Sequence, residues 1–490
     1  MWRFSFVFVL AACDAGPSTN DPRPDAGAAA DGGAPADAGA LPDGAVAAVG
    51  TPIAATPQKS GDPARGYDIL LNAPYVRCGI PDSLVTRVGA DRVGQAVGGP
   101  SSAYSLPGRS EANEGLPYYL TRAQAAEGAA VVNTNCLGCH ASPFGGQVVV
   151  GLGNSLIDTT GDLAAFARVA GALVTDEAEH AAWADWSERM VAVGDSIRVD
   201  TVGVTAADNL AVVLFGRRDP VTFNWQADMA FEVPDDLPVV PLAPPPWWRM
   251  KKKNAMFYTG GFQGDHSRFM YAASMLCLDD VSEIAQLDVW FADVRAYIDS
   301  VVAPAWPYGV DAELAATGEG VFNTTCARCH GTYGPTGTYP NLVIPLAEVG
   351  TDGELDRLTA MLAEPVGGWV AQTVWADTNA FLYTGGYMAP PLDGLWITAP
   401  FLHNDSVPDL ASLLDSRLRP TYWRRSSDPD AYVPETMGFA YETLAEGKAA
   451  DRTGHTYDTT RDGYRNTGHV YGDALTPAAR QALMEYLKTL

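Results

Sequence analysis

Two short segments of the 490-residue chain carry the residue types that attach a haem covalently. Each reads Cys-x-x-Cys-His, a spacing at which two thiols bond to the haem vinyl groups and the adjacent imidazole reaches the iron. A thioredoxin-like redox pair does not need the histidine, and a zinc site needs four ligands close together. The motifs therefore predict two covalently bound haem c groups, held by Cys136, Cys139, His140, Cys326, Cys329 and His330.

The charge balance excludes several classes of function. Lys and Arg number 32 against 58 Asp and Glu, which gives a formal net charge of −26. Phosphate backbones and anionic lipid surfaces attract clustered basic residues, so nucleic acid and broad membrane contact are not expected. No apolar run reaches the roughly 18–20 residues that a membrane-spanning helix needs.

The N-terminus predicts export. A short charged head, an apolar run and small residues precede Cys13, as in bacterial lipoprotein signals, and an ordinary signal peptide is the alternative. We expect residues 1–12 to be the signal peptide, with Cys13 lipidated. Residues 13–65, rich in Ala, Asp, Gly and Pro, are predicted to be a disordered linker. The predicted location is the bacterial cell envelope, either the periplasm or the outer surface, with membrane contact through the lipid anchor alone.

Two further cysteines stand outside the haem motifs. Cys78 and Cys277 are expected to pair as a disulfide in an oxidising compartment. Two separate buried thiols are the alternative, because sequence alone does not establish proximity.

The residues before each haem motif form an internal repeat. Segments 124–140 and 314–330 share several positions, including Gly128 and Gly318, and their apolar spacing predicts a helix leading into each motif. Segments 287–301 and 476–490 are the helices expected to cross them at the glycines. This predicts a mainly α fold with two class I cytochrome c-like domains, residues 66–302 and 303–490, each carrying long loop insertions.

Hydrogen-bond acceptors for the two proximal histidine rings are also predicted. The carbonyl of Pro340 is expected to accept the N–H of His330, and Pro143 is expected to serve His140 in the same way, with loop rigidity as the alternative role of both prolines.

Three longer motifs carry a family resemblance. Residues 387–410 (YMAPPLDGLWITAPFLHNDSVPDL), 466–472 (NTGHVYG) and 245–248 (PPWW) resemble the rubber oxygenase type of dihaem cytochrome c, within the wider bacterial dihaem cytochrome c peroxidase superfamily. The resemblance implies an open first haem at His140, and a second haem between His330 and His469. Met388 is the main competitor of His469. His403 is expected near the second haem without binding its iron.

The resemblance also implies roles for residues 247–269. Trp248, or its neighbour Trp247, would lie close to both haems, and Phe262 would shield the oxygen site, with aromatic core packing as the alternative. His266 is a candidate distal base. The basic run of residues 249–253 would pair with haem propionates, or form a solvated face or a docking site for an acidic redox partner.

These expectations leave three functions open. The first is an oxidoreductase whose first haem activates dioxygen or peroxide while the second relays electrons. Its substrate would be an alkene-containing hydrophobe by resemblance, and its electrons would come from a redox partner protein or a small donor. The second is an electron-transfer lipoprotein with both irons six-coordinate. The third is a peroxidase that receives its electrons from a small cytochrome. If His180 or Met190 binds the first iron, that iron has no open position and the second function is favoured.

Overall fold

The computed structural model describes residues 49–99, 104–234, 236–451 and 454–490. The predicted signal peptide, Cys13 and the linker through residue 48 lie outside the described residues. Residues 49–490 belong to one compact unit.

The helices of the described residues are mostly short. They are α1 (Pro63–Asn72), α2 (Asp82–Val88), α3 (Ala90–Ala96), α4 (Leu137–His140), α5 (Leu163–Ala170), α6 (Glu177–Ile197), α7 (Ala207–Gly216), α8 (His266–Met270), α9 (Ser282–Ser300), α10 (Ala312–Thr325), α11 (Ala327–His330), α12 (Leu346–Val349), α13 (Glu354–Val370), α14 (Leu410–Leu414) and α15 (Pro477–Leu487). Among the 3₁₀ helices, residues 247–252 and 271–277 lie near the haem motifs.

Small antiparallel sheets accompany these helices. Their strands are β1 (Thr51–Pro52), β2 (Ile80–Pro81), β3 (Leu120–Gln124), β4 (Ala130–Thr134), β5 (Ala141–Phe144), β6 (Gln147–Val150), β7 (Ala255–Met256), β8 (Phe262–Gly264), β9 (Leu342–Pro345), β10 (Asn379–Phe381), β11 (Gly386–Met388), β12 (Tyr422–Arg425), β13 (Tyr432–Val433), β14 (Gly438–Phe439), β15 (Tyr441–Thr443) and β16 (Tyr457–Asp458). The sheets are β1-β9-β11, β10-β8-β7, β15-β12-β16, β2-β4-β3, β5-β6 and β13-β14.

The expectation of a mainly α fold was wrong. Helices take up about 40% of the structure and strands about 13%. The largest local difference lies before the first haem motif, where residues 120–134 form the hairpin β3–β4 and not a helix. Gly128 occupies the turn of this hairpin with φ of +88°. The aligned Gly318 lies inside helix α10, so matching residues adopt different structures in the two copies.

Two pairs of crossing helices frame the haem motifs. At the C-terminal end, α10 crosses α15 at Gly318 as predicted, and a β-carbon there would lie 1.9 Å from the carbonyl oxygen of Ala482. At the N-terminal end, α9 is crossed by α1, which begins inside the segment predicted to be linker. A β-carbon on Gly66 would lie 2.0 Å from the carbonyl oxygen of Asp293. Each crossing therefore brings two helix backbones into direct contact.

The two halves of the chain share sheets across residues 302 and 303. Strand β8 of the first half pairs with β10 of the second, so that Phe262 lies opposite Phe381. Strand β1, also within the predicted linker, pairs with β9. The Phe215 ring on α7 stacks on Trp369 of α13 with ring centres 5.0 Å apart. Packing is therefore continuous where a domain boundary was predicted, and folded structure begins before residue 66.

A disulfide holds the N-terminal hairpin. The Sγ atoms of Cys78 and Cys277 are 2.13 Å apart, and their Cα atoms are 5.2 Å apart. Cys78 precedes β2, which pairs with β4 just before Cys136, and the Asn133 side-chain amide donates to the carbonyl of Cys78 at 2.6 Å. Across the described ranges, no helix has both the length and the hydropathy to cross a bilayer.

Two glycines on the same helix test the crossing. Gly318→Ala is expected to destabilise the protein by at least about 2 kcal/mol, because the new methyl group meets the backbone of α15 and not a movable side chain. Gly320→Ala is the matched control, since a β-carbon there has no neighbour within 4 Å. It is expected to stabilise the helix by up to roughly 1 kcal/mol. Thermal unfolding of both variants measures the difference, and equal midpoints would contradict a backbone contact at Gly318.

Candidate haem site

Each Cys-x-x-Cys-His motif ends in a single helical turn. Helices α4 and α11 close through hydrogen bonds from His140 N to Cys136 O and from His330 N to Cys326 O, both 3.1 Å. None of the four motif cysteines takes part in a disulfide. Each turn therefore holds two thiols and one imidazole within reach of a single group.

Both motifs open into one continuous cavity of about 610 Å³. All four thiols and both imidazoles line it, and most of the remaining wall is aliphatic or aromatic. A largely apolar cavity whose few polar groups converge is typical of a cofactor site. Cysteine thiols beside a wall of this kind fit covalently attached haem.

The proximal imidazoles are oriented by proline carbonyls. His140 Nδ1 lies 3.1 Å from the carbonyl oxygen of Pro245, and His330 Nδ1 lies 2.8 Å from that of Pro390. A carbonyl oxygen accepts only, so Nδ1 carries the proton in both rings and Nε2 is left for a metal. The predicted acceptors Pro143 and Pro340 are not the partners. Tyr339 instead donates to the carbonyl of Ala389 at 2.6 Å, which supports the segment that holds Pro390.

Burial keeps these imidazoles neutral. It lowers the pKa of His140 to about 4, and it also lowers the pKa of His330. A neutral ring is the form that binds iron, so both histidines are ready to coordinate at ordinary pH. The His140 ring also stacks on the indole of Trp247, with ring centres 5.1 Å apart.

His469 faces His330 across the cavity. Their ring centres are 6.2 Å apart. Two imidazoles that share one metal lie at about this separation, since each metal–nitrogen bond is roughly 2 Å. Nδ1 of His469 is buried and has no hydrogen-bond partner among the described residues. The pair leaves space for one iron between them.

The loop that carries His469 is held by backbone contacts. His469 has a positive φ of 45°, and its N–H donates to the carbonyl of Val349 at 2.7 Å. The Arg419 guanidinium donates to the carbonyls of Asn466 and Gly468 at 2.6 and 2.8 Å. These bonds hold the loop through its backbone and do not use the His469 ring.

Met388 lines the same cavity and remains the competing ligand. It lies on β11, where its N–H donates to the carbonyl of Tyr258 at 2.7 Å. The separation of the His330 and His469 rings favours His469.

The basic run divides into different environments. Arg249 and Lys253 line the cavity, and burial lowers the pKa of both, that of Lys253 to about 8. Lys252 instead pairs with Asp393 at 2.7 Å, and Lys251 is exposed. Buried Arg249 and half-buried Lys253 both face an apolar cavity, and they fit the propionate carboxylates of haem.

The predicted catalytic residues lie just behind the cavity wall. Phe262 is buried against Phe269 and Phe257, with ring centres 4.2 and 4.6 Å away, and these two rings are the ones that line the cavity. Trp248 is buried and donates its indole N–H to the carbonyl of Asp393 at 2.8 Å, whereas Trp247 lines the cavity. Their catalytic roles stay predictions.

Four other histidine and methionine candidates occupy distinct places. Nε2 of His266 is buried without a hydrogen-bond partner in the described chain, and burial lowers the pKa of this ring to about 4. His403 lines the cavity and stacks on Tyr387 at 4.5 Å. His180 is exposed on α6, and Met190 is buried in the main hydrophobic core.

Several cavity residues were not predicted. Met256 and Met270 add thioethers to the wall, and Asp208 adds a carboxyl. Oδ1 of Asp208 is buried without a partner in the described chain, and burial raises its pKa to about 7. Single Met and Asp residues carry no spacing signal, so the sequence offered no way to find them.

Comparison with known proteins matches a segment that follows the second motif in the chain. Residues 386–424 match the family described as RoxA-like, cytochrome c-like. This segment contains Met388, Pro390 and His403, and the match supports a haem-based cytochrome function with covalently bound haem c.

Two proteins of Sinorhizobium fredii are similar to this chain. Uncharacterized protein y4iM is 27% identical over 284 residues, which cover 50% of this chain and 63% of that protein. Uncharacterized protein y4iJ is 29% identical over 254 residues, which cover 38% of this chain and 41% of that protein. The chain thus covers less than two thirds of the length of either relative.

Replacement of His469 tests the ligand pair. His469→Ala is expected to convert the iron at the second motif from low spin to high spin, since one strong axial ligand is lost. Added imidazole is expected to restore the low-spin absorption spectrum. Met388→Leu, which preserves side-chain volume, is the control and should leave the spectrum unchanged. The opposite pattern in the two variants would assign the ligand to Met388.

Proposed function

We propose that this protein is an exported dihaem c oxidoreductase. The iron at His140 reacts with dioxygen or peroxide, and the iron at His330 and His469 relays electrons. A haem supplies an iron that exchanges single electrons and, where one axial position is open, reacts with small oxidants. The single observation that carries the proposal is the difference between the two proximal histidines. His330 has a second imidazole 6.2 Å across the cavity, whereas the ring in contact with His140 is the indole of Trp247.

The chain's own residues prepare the cavity for this chemistry. The proline carbonyls hold a proton on Nδ1 of each proximal ring and leave Nε2 toward the iron. Arg249 and Lys253, which line the cavity, would bind the haem propionates. The aromatic wall of Phe257 and Phe269 excludes water and gives an apolar surface on which a hydrophobic substrate, such as an alkene, is held.

Export is part of the proposal. The Cys78–Cys277 disulfide supports an oxidising compartment. Lipidation of Cys13 would tether the folded unit to the cell envelope, where a redox partner protein or a small donor supplies electrons.

A second candidate function is electron transfer without catalysis. The thioethers of Met256 and Met270 in the cavity wall favour it, because either could provide a sixth ligand at the first iron. His180 and Met190 are less suited, since neither side chain is part of the cavity wall.

Low-temperature EPR of the ferric protein, with haem content counted beforehand, separates the two functions. The oxidoreductase is expected to show one high-spin and one low-spin signal from two haems. The measurement is repeated on half-reduced protein, because reduction of one haem can open the other. Two low-spin signals from the ferric protein, and a remaining ferric iron that stays low spin in the half-reduced protein, would contradict the oxidoreductase. Met270→Leu and Met256→Leu would then identify the capping thioether by a new high-spin signal.

A further inference from the structure

Four oxidisable aromatic side chains form a continuous cluster near the second haem motif. The ring centre of Trp306 lies 5.5 Å from that of Trp396 and 5.0 Å from that of Tyr308. Tyr432 lies 5.7 Å from Trp396 and 6.4 Å from Tyr308, stacked on the latter ring with an interplanar angle of 6°. We call this cluster of Trp396, Trp306, Tyr432 and Tyr308 the aromatic route.

The inner end of the aromatic route lies behind the cavity wall. Trp396 is buried, and its chain neighbours Leu395 and Thr398 line the cavity. Trp248 packs in the same hydrophobic cluster as Trp396. Cys326 and Ala327 of the second motif pack against the same cluster. The aromatic route therefore begins directly behind the cavity wall, beside the second motif.

The outer end of the aromatic route reaches solvent. Tyr308 is 47% exposed and lies in the connection between α9 and α10. Val302 and Val310 on the same connection are exposed at 74% and 39%. An exposed aromatic ring flanked by exposed apolar side chains is a surface at which another protein can make close contact.

The rings of the route are fixed by hydrogen bonds. Trp396 Nε1 donates to Pro304 O at 2.8 Å, and Trp306 Nε1 donates to Gly309 O at 3.2 Å. The Tyr432 hydroxyl donates to Trp396 O at 2.6 Å. A carbonyl oxygen beside an indole N–H places negative potential next to the ring, which favours its one-electron oxidised, cationic form.

One nearby charge opposes that effect. Lys488 Nζ lies 5.2 Å from the ring centre of Trp306. Glu485 Oε2 is 2.5 Å from the same nitrogen and offsets most of its charge. The ion pair beside the Trp306 indole therefore carries almost no net charge.

We infer that the aromatic route conducts electrons between the iron held by His330 and a one-electron redox partner that binds at Tyr308. This inference rests on the proposed function, because it requires a haem at the second motif. The partner gives up one electron and the ferric iron takes it up. The rings of the aromatic route lie along its path and undergo no net change of oxidation state. No bond forms or breaks, and the indole protons stay in place.

Packing alone is the competing explanation, and the cluster contains its own controls. Phe144 lies 5.5 Å from Trp396, and Phe439 lies 5.5 Å from Tyr432. These rings fill the same space but are far harder to oxidise than Trp or Tyr. Conduction predicts that loss of an indole matters and loss of a phenyl ring does not.

The experiment uses the haem-loaded, reduced protein with a photo-oxidisable ruthenium complex attached at Val310→Cys. A flash generates ruthenium(III), and absorbance follows the loss of the ferrous second haem. Trp306→Phe and Trp396→Phe keep an aromatic ring in place and are expected to slow this oxidation at least about tenfold, equivalent to roughly 1.4 kcal/mol in barrier. Phe144→Leu and Phe439→Leu are expected to leave the rate unchanged.

The outcomes separate the two proposals. Protein without a haem at residues 326–330 would contradict both. A loaded second haem that is oxidised at the same rate in all variants would contradict the aromatic route alone. Circular dichroism and the haem spectrum check folding, and if Trp396→Phe does not fold, the half-buried Trp306 carries the test.

Discussion

The site depends on holding two imidazoles neutral and in one orientation inside an apolar cavity. Each ring has a single fixed hydrogen bond, from Nδ1–H to the carbonyl of Pro245 or Pro390. Proline has no N–H and a nearly fixed φ. Consecutive prolines, as at residues 244–246 and 390–391, therefore form a stiff segment whose carbonyls are free to accept. A proline carbonyl orients the proximal ring at both motifs, although the surroundings of the two motifs differ.

The scaffold supports the two haem motifs through backbone contacts. Gly66 and Gly318 bring pairs of helices together without side chains between them. The disulfide and strands β2 and β4 hold the chain just before the first motif, whereas helix α10 does so before the second. A hairpin and a helix thus perform the same positioning task.

The sequence predicted the chemistry better than the architecture. The spacing within each motif is a covalent requirement, so it identified the thiols and proximal histidines without reference to the fold. The helix predicted before Cys136 was wrong. The residues that align with helix α10 of the second copy include Val131 and Val132, and β-branched residues also suit a strand. Pro245 and Pro390 were not identified as acceptors because their contacts join residues 105 and 60 positions apart.

The shared sheets have a consequence for the spacing of the two haem motifs. Strand β8 pairs with β10, and β1 with β9, so each half of the chain completes sheets of the other. These pairings hold the two motifs at one separation. Under the proposed function, the distance that an electron crosses between the two irons would therefore be set by the fold.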